Sequence, residues 1–324
     1  MPGEFELIRR YFSAHDDGRW IELGIGDDCA ILSAPQAVRL CLTTDTLNEG
    51  VHFFPAPDPQ GLGYKALAVN LSDLAAMGAR PWCFTLSLNL PESEDGFLKA
   101  LASGLFALAH EQGVALVGGN TARSGALSLT ISAYGLLPER GALRRDRARV
   151  GEDIYVTGHL GGAAAYVAAG YGEYTAPQSS RAQLDKAFYY PPCRCAFAAG
   201  LLEQGLSCCA IDLSDGLQGD LGHILRQSGC GARVELDDLP FHPLLSELPV
   251  SEEQRLNWCV LGGGDYEILF TAPVTNREAV ERLASGSSTP VRRIGEITKS
   301  GLALLKGGKI CQLSGRPFEH FAGS

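Results

Sequence analysis

Apolar and polar positions along the chain switch repeatedly between helical and strand-like spacing. Residues 4–12 place Phe5, Ile8 and Phe12 at helical spacing, which predicts a short amphipathic helix. The same spacing predicts further helices at 61–77, 97–111, 217–227 and 276–284, with a helix rich in small residues after 157. Apolar or alternating runs predict strands at 29–32, 38–44, 84–90, 114–117, 127–137, 153–157, 208–211, 232–236 and 266–271. Both halves of the chain therefore mix helices with strands.

A stretch rich in Pro, Gly and Arg interrupts this pattern near residue 140. The 324 residues are enough for two domains or for one large α/β domain. We predict an α/β fold of mixed, α+β character, with an N-terminal domain at 1–138, a linker at 139–150 and a C-terminal α/β domain at 151–324.

Composition and charge narrow the possible partners. The net charge of −10 comes without a dominant cluster of Lys and Arg, which argues against binding to nucleic acid. The run Arg144, Arg145, Arg147 and Arg149 is either a solvated loop or a contact to a polyphosphate, and both readings stay open. The ten cysteines lack C-x-x-C spacing, and no apolar run approaches the ~20 residues of a membrane span. We expect a cytoplasmic protein without membrane contact.

Candidate chemistry lies in aspartates that follow apolar strands or interrupt an apolar helix. They are Asp27, Asp28, Asp45, Asp73, Asp212 and Asp215. A single aspartate in a turn is more often a cap than a ligand. Several carboxylates in one crevice, however, repel each other unless a cation neutralises them. Mg²⁺ suits this role because it prefers hard oxygen ligands and commonly shares them with substrate phosphates.

The predicted helix at 61–77 carries Asn70 and Asp73 on one side of an otherwise apolar surface. Asp73 either makes a buried hydrogen bond or binds a cation, and the second reading is favoured because an isolated buried carboxylate is costly. The chain has no P-loop, dinucleotide, protein-kinase, zinc-protease or G-x-S-x-G motif. The candidate that remains is a reaction of phosphate groups in which metal ions bind the phosphates.

Six segments together resemble one known family. They are 24–30 (GIGDDCA), 44–53 (TDTLNEGVHF), 64–81 (YKALAVNLSDLAAMGARP), 118–123 (GGNTAR), 210–216 (AIDLSDG) and 262–267 (GGGDYE). In this order they resemble the thiamine-monophosphate kinases, which share a superfamily with aminoimidazole ribonucleotide synthetase. The resemblance implies a two-domain aminoimidazole ribonucleotide synthetase-like fold whose N-terminal domains pair into a barrel across a homodimer. It also implies ATP-dependent phosphorylation of thiamine monophosphate to thiamine diphosphate, assisted by several Mg²⁺ ions.

The same resemblance implies roles for individual residues. Metal ligands would be Asp28, Thr43, Thr44, Asp45, Asp73, Asn120, Asp212 and Asp215. ATP contacts would be Asp28, Thr44, Asp45, Gly119, Asn120, Arg145 and Ser214. Thiamine phosphate contacts would be His52, Gly264 and Phe318, although His52 alone reads as an ordinary loop histidine. We expect no separate catalytic residue, because the acceptor is a phosphate that is largely ionised near pH 7.

Two positions depart from the family pattern. Asn120 stands where the family normally has a metal-binding aspartate, and Gly264 stands where it normally has a glutamate that contacts substrate. Asn120 brings no negative charge, so it should weaken metal binding. Two alternatives therefore stay open: an ATP-dependent enzyme of the same fold with another acceptor, or a binder of nucleotide or thiamine phosphate with weakened catalysis.

Overall fold

The computed structural model describes residues 4–12, 20–23, 30–35 and 38–313, with the side chains of 4–7 and 23 left out. Two compact units make up this part of the chain. The first unit takes the described residues up to Leu74 together with Ala79–Glu139. The second takes Ala75–Gly78 and the described residues from Arg140 onward. Within these ranges no helix is both long and apolar enough to cross a membrane.

Helices and a four-stranded sheet form the first unit, apart from the last two residues of α2. The helices are α1 (Glu4–Tyr11), α2 (Pro59–Ala76) and α3 (Asp95–Gln112). The strands are β1 (Ile21–Leu23), β2 (Ile31–Leu32), β3 (Arg39–Asn48), β4 (Arg80–Leu90), β5 (Ala115–Arg123) and β6 (Ser128–Leu137). The sheet has the order β3-β6-β4-β5, with β4 and β5 parallel and the other pairings antiparallel; β1 and β2 pair separately.

The sheet of the first unit has one apolar and one polar face. Leu86 and Ile131 are almost fully buried, whereas their neighbours Thr85 and Ser132 are partly exposed, as the alternation of side chains along a strand requires. Helix α2 packs closely against α3, because a Cβ on Gly63 would lie 2.0 Å from the carbonyl oxygen of Leu101. We call the side of the sheet that packs on α2 the helix face and the opposite side the polar face.

Six helices and a seven-stranded sheet form the second unit in the described residues. The helices are α4 (Gly162–Gly170), α5 (Arg181–Tyr189), α6 (Cys195–Glu203), α7 (Leu217–Ser228), α8 (Glu252–Val260) and α9 (Arg277–Gly286). The strands are β7 (Asp153–Thr157), β8 (Cys209–Asp212), β9 (Gly231–Glu235), β10 (Ile268–Ala272), β11 (Val291–Thr298), β12 (Leu302–Lys306) and β13 (Lys309–Ile310). Their order is β13-β12-β9-β11-β7-β10-β8, with β9 and β12 parallel. Every residue of β7 and β10 is buried, so both faces of the sheet centre are covered.

The mixed α/β content is confirmed, but two local predictions are wrong. Asp45 does not end a strand, because β3 continues in register with β6 as far as Asn48. The strand predicted at 114–117 does not end at Val117, because β5 continues along β4 to Arg123. The described strands of the first unit form an open sheet with β3 and β5 at its edges, so the barrel expected across a dimer is not closed within one chain.

Candidate active site

In the first unit, α2 holds the part of β3 that carries Asp45. The backbone N–H of Asp45 donates to Oδ1 of Asn70, with 3.1 Å between nitrogen and oxygen. Asn70 is fully buried, and its amide Nδ2 donates to the carbonyl of Ala66 at 3.0 Å. Both ends of this amide are therefore used, as burial of a polar side chain requires. Asn70 therefore fixes the position of α2 along β3.

A second contact joins the same two elements. The hydroxyl of Thr43 donates to the half-buried carboxylate of Asp73 on α2. Thr43 and Asp45 lie two residues apart on one strand, so their side chains share the helix face. The packing of α2 on β3 thus brings three of the expected metal ligands, Thr43, Asp45 and Asp73, to one side of the sheet.

Thr44 and Asn120 lie on the polar face instead. The hydroxyl of Thr44 donates to the carbonyl of Ile131 at 3.1 Å and accepts from the hydroxyl of Ser132 at 3.0 Å. Asn120 is exposed, and the strand register places it in one row with Ser87, Thr130 and Thr46. Residues directly opposite each other share a face, so the Asn120 side chain is on the same face as Thr44.

Gly119 has a structural reason to be glycine. It pairs with Leu86, and a Cβ at position 119 would lie 1.9 Å from the carbonyl oxygen of Leu86. No side chain fits at that distance. The close approach of β4 and β5 therefore explains this glycine without a nucleotide.

His52 follows β3 and is half-buried. Its Nδ1 accepts the backbone N–H of Asn48 at 3.0 Å, so the neutral ring carries its proton on Nε2. This is the local hydrogen bond expected of a loop histidine. Two further residues were expected in the site, Asp28 and Phe318. Both lie outside the residues that the structure describes.

In the second unit, backbone hydrogen bonds join the loop at 213–216 to the loop at 262–267. The N–H of Gly264 donates to the carbonyl of Ser214 at 2.8 Å, and the N–H of Tyr266 donates to the carbonyl of Leu213 at 2.9 Å. Gly264 has φ +90°, in the left-handed region that disfavours other residues, and a Cβ there would meet Ala163 at 3.3 Å. A glutamate at this position would therefore be strained in this loop conformation.

The predicted ligands of the second unit surround the start of α7. Asp212 ends β8 and is buried, and the backbone N–H of Asp215 donates to Oδ2 of Asp220 at 3.1 Å. Burial raises the pKa of Asp220 to about 7, against the positive charge of Arg145. Arg145 is held in place through its own carbonyl, which accepts from the Ser228 hydroxyl at 2.8 Å. Arg145 thus lies within electrostatic reach of this acidic loop.

No role was predicted from the sequence for three buried acids beside these loops: Asp220, Asp265 and Glu267. The carboxylate of Asp265 accepts the N–H groups of Gly161 at 2.7 Å and Ala163 at 3.3 Å, at the start of α4. Burial nevertheless raises the pKa of Asp265 to about 7, because the desolvation of its charge outweighs these two hydrogen bonds.

Glu267 is held by an arginine that is distant in sequence. Nε and Nη2 of Arg194 donate to its two carboxylate oxygens at 2.7 and 2.8 Å, and the hydroxyl of Thr157 donates to Oε2 at 2.6 Å. Arg194 lies 73 positions from Glu267, so no local pattern could reveal the pair. The available signal was the D-Y-E at the end of segment 262–267, since two acids there lie beside an apolar strand.

No three side chains of His, Cys, Asp or Glu come together as a ready metal site in the part of the chain that the structure describes. The gathering of the aspartates around divalent ions therefore stays a prediction. Each unit supplies its own oxygen donors, with Asp45 and Asp73 in the first and Asp212 and Asp215 in the second.

Two family domains cover most of the chain. The N-terminal domain of the AIR synthase related proteins matches residues 26–137, and the C-terminal domain of the same family matches residues 149–305. Thiamine-monophosphate kinase of Escherichia coli strain K12 is 44% identical over 324 residues, covering 99% of this chain and 98% of the relative. Thiamine-monophosphate kinase of Bacillus subtilis strain 168 is 31% identical over 328 residues, covering 98% and 99%.

Solved structures agree with these relatives. Thiamine-monophosphate kinase from Stenotrophomonas maltophilia K279a superimposes with a TM-score of 0.83 at 39% identity, over 91% of this chain and 93% of that one. AaThiL complexed with AMPPCP and TMP gives a TM-score of 0.75 at 27% identity, over 92% of each chain. The chain is thus similar over nearly its whole length to kinases of one kind, and it belongs to the thiamine-monophosphate kinase family.

Proposed function

We propose that this protein transfers the terminal phosphate of ATP to thiamine monophosphate and so makes thiamine diphosphate. The observation that carries the proposal is the 44% identity to a thiamine-monophosphate kinase over 99% of the chain. A relative of the same fold binds an ATP analogue and TMP together, which is the pair of ligands that such a transfer needs. The acidic groups of the two units supply the chemistry that the proposal requires.

The donor set fits Mg²⁺. Each unit has its own oxygen ligands: Thr43, Asp45 and Asp73 lie on the helix face of the first unit, and Asp212 and Asp215 are two carboxylates of the second. Hard oxygen donors without a sulfur or imidazole group suit Mg²⁺ better than a transition metal. Bound there, Mg²⁺ would supply charge neutralisation for the phosphates.

The residues of the chain provide position and charge. The phosphate of the acceptor is already largely ionised near pH 7, so the protein needs no general base. Asn70 and Asp220 fix the backbone at Asp45 and Asp215, and the guanidinium of Arg145 offers planar N–H donors to a phosphate. Catalysis then comes from orientation and electrostatic stabilisation, as in other phosphoryl transfers.

We further propose that the protein works as a homodimer. On the edge strand β3, Leu40 and Leu42 are 52% and 62% exposed on the polar face. Two large exposed apolar side chains on an edge strand of the described sheet favour contact with a second copy. Light scattering should show a dimer for the wild type, and Leu42→Lys should shift the mass toward that of a monomer. A wild-type monomer at micromolar concentration would contradict this part of the proposal.

The decisive experiment is an assay with purified protein, MgATP and thiamine monophosphate. We expect thiamine diphosphate by chromatography and phosphorus NMR, with turnover abolished in Asp45→Ala and in Asp212→Ala while circular dichroism stays native. Free phosphate with a different organic product would instead show another acceptor. Tight binding of AMPPCP by calorimetry without any product would show a binder.

A substitution at Asn120 allows a second test, of the Mg²⁺ requirement. Asn120 is exposed on β5, so Asn120→Asp adds a carboxylate without disturbing the core. Because Asn120 lies on the polar face, this variant tests a Mg²⁺ position separate from the one on the helix face. With such a position, we expect Asn120→Asp to reach half-maximal turnover at a lower Mg²⁺ concentration than the wild type. Ser124→Asp, just after the end of the same strand, is the control and should leave the Mg²⁺ dependence unchanged.

A further inference from the structure

Two cysteines flank the arginine that holds Glu267. The Sγ atoms of Cys193 and Cys195 lie 3.4 Å apart, with Arg194 between them at the start of α6. Cys195 is 3% exposed in the first turn of the helix, whereas Cys193 precedes the helix and is half-buried. The thiol that lies outside the helix is therefore the one that a reagent in solution can reach.

The ion pair between Arg194 and Glu267 has little room to adjust. The Glu267 side chain is 4% exposed, and a Cβ on Gly158 would lie 1.6 Å from its Oε1. The carbonyl of Glu267 accepts the N–H of Leu213 at 2.8 Å, and Leu213 leads directly into Ser214 and Asp215. The position of Arg194 thus bears on the loop that carries the expected nucleotide and metal contacts.

We propose that Cys193 and Cys195 form a reversible disulfide that draws Arg194 away from Glu267 and so slows phosphoryl transfer. A disulfide requires about 2.05 Å between the sulfurs, so the present 3.4 Å must shorten by more than 1 Å. Cys195 is fixed by burial in α6, so the movement falls on Cys193 and on the peptide groups beside Arg194. A bidentate pair tolerates such a movement poorly, because both N–H donors must stay aligned.

The oxidant is a small disulfide such as oxidised glutathione. The thiolate of Cys193 attacks one sulfur of this reagent, and one thiolate leaves and takes a proton from water. The Cys195 thiol then loses its proton to solvent and attacks Sγ of Cys193, which expels the second thiolate. Overall the two cysteines lose two electrons and two protons, and the reagent is reduced to two thiols.

The first test detects the bond itself in the full chain. The protein is treated with oxidised glutathione, alkylated and digested with trypsin, which cleaves after Arg194. A disulfide between Cys193 and Cys195 would then join two separate peptides, and dithiothreitol should release them. The peptide that contains Cys195 also contains Cys208 and Cys209, so fragment ions must assign the sulfur. Failure to find the joined peptides, under conditions that attach glutathione to the exposed Cys208, would overturn the proposal.

The second test measures the consequence, and this step rests on the proposed kinase activity. We expect oxidised wild type to lose turnover at least fivefold and to regain it with dithiothreitol. Cys193→Ser should keep its turnover under the same oxidant, whereas Cys208→Ser, at an exposed cysteine, should be inactivated like the wild type. Unchanged turnover in the wild type with the disulfide formed would overturn the coupling, as would equal inactivation of Cys193→Ser.

A third measurement keeps the two proposals apart. The melting temperature of the wild type should fall on oxidation, because the buried Glu267 loses the charge of Arg194 and is left with the hydroxyl of Thr157, and the melting temperature of Cys193→Ser should not. This comparison needs no substrate. If the reduced protein had no kinase activity, the proposed function would fail, while the joined peptides and the melting temperatures would still decide for or against the disulfide.

Discussion

The backbone N–H of Asp215 donates to the carboxylate of Asp220, with 3.1 Å between the nitrogen and Oδ2. Asp220 lies in the first turn of α7 and is 2% exposed, so this hydrogen bond is shielded from water. It fixes the peptide group that carries an expected metal ligand.

We expect Asp220→Ala to reduce kcat/KM by at least tenfold, because Asp215 loses the acceptor that orients it. Tenfold corresponds to about 1.4 kcal/mol of transition-state stabilisation. Asp220→Asn keeps an oxygen acceptor and should lose less. Steady-state kinetics on folded protein checks both, and Asp220→Ala with the wild-type kcat/KM would show that the contact does not position the site.

The contact between Thr43 and Asp73 has a matched control on the same strand. Thr43→Val removes the hydroxyl that faces Asp73, whereas Thr46→Val removes a hydroxyl that bonds Thr130 on the polar face at 2.8 Å. We expect Thr43→Val to raise the Mg²⁺ concentration for half-maximal turnover severalfold and Thr46→Val to leave it near the wild-type value. Mg²⁺ titrations of turnover measure this, and equal effects in the two variants would argue against a site on the helix face.

Gly119 should tolerate no side chain. In Gly119→Ala the new Cβ would lie 1.9 Å from the Leu86 carbonyl, so β4 and β5 must separate. Forced overpacking of this kind costs about 1–3 kcal/mol of unfolding free energy. Gly125→Ala, with no atom within 4 Å of the new methyl group, is the control and should change stability little. Urea denaturation of both variants provides the comparison.

Asp265 should give the protein a pH-dependent stability. Its pKa in the folded state is raised to about 7 from the 3.8 of an ordinary aspartate, with burial as the main cause. The folded protein therefore keeps a proton that the unfolded chain releases, and this group makes stability fall as pH rises through that window. Asp265→Asn cannot titrate at this position. The unfolding free energy of the variant minus that of the wild type should therefore rise by about 2–4 kcal/mol from about pH 4 to about pH 7.5. Parallel pH profiles for the two proteins would contradict this assignment.

Local pattern was sufficient for most elements. The strand predicted at 153–157 is β7, and the helix predicted at 217–227 is α7, which ends at Ser228 before a left-handed Gly229. Such segments are specified by their own periodicity and end residues. The family was likewise identified from short motifs, because those motifs keep their order along the chain.

Strand ends were predicted less well, since a strand continues as long as a partner pairs with it. Asp45 is in the middle of β3 because β6 runs beside it, and the glycines at 118 and 119 remain extended because β4 does. Nothing in the residues next to Asp45 or Gly119 reports the length of a strand that is remote in sequence.

The sequence by itself determined most of the helices and strands and the family, and it pointed to acidic side chains as the candidate chemistry, because these follow from local periodicity and from motifs. Only the tertiary structure decided which side chains meet. Asn70 reaches the backbone of Asp45 across 25 positions, and Arg194 reaches Glu267 across 73. Such contacts depend on the packing of helices against sheets, which brings together residues that the linear order keeps apart.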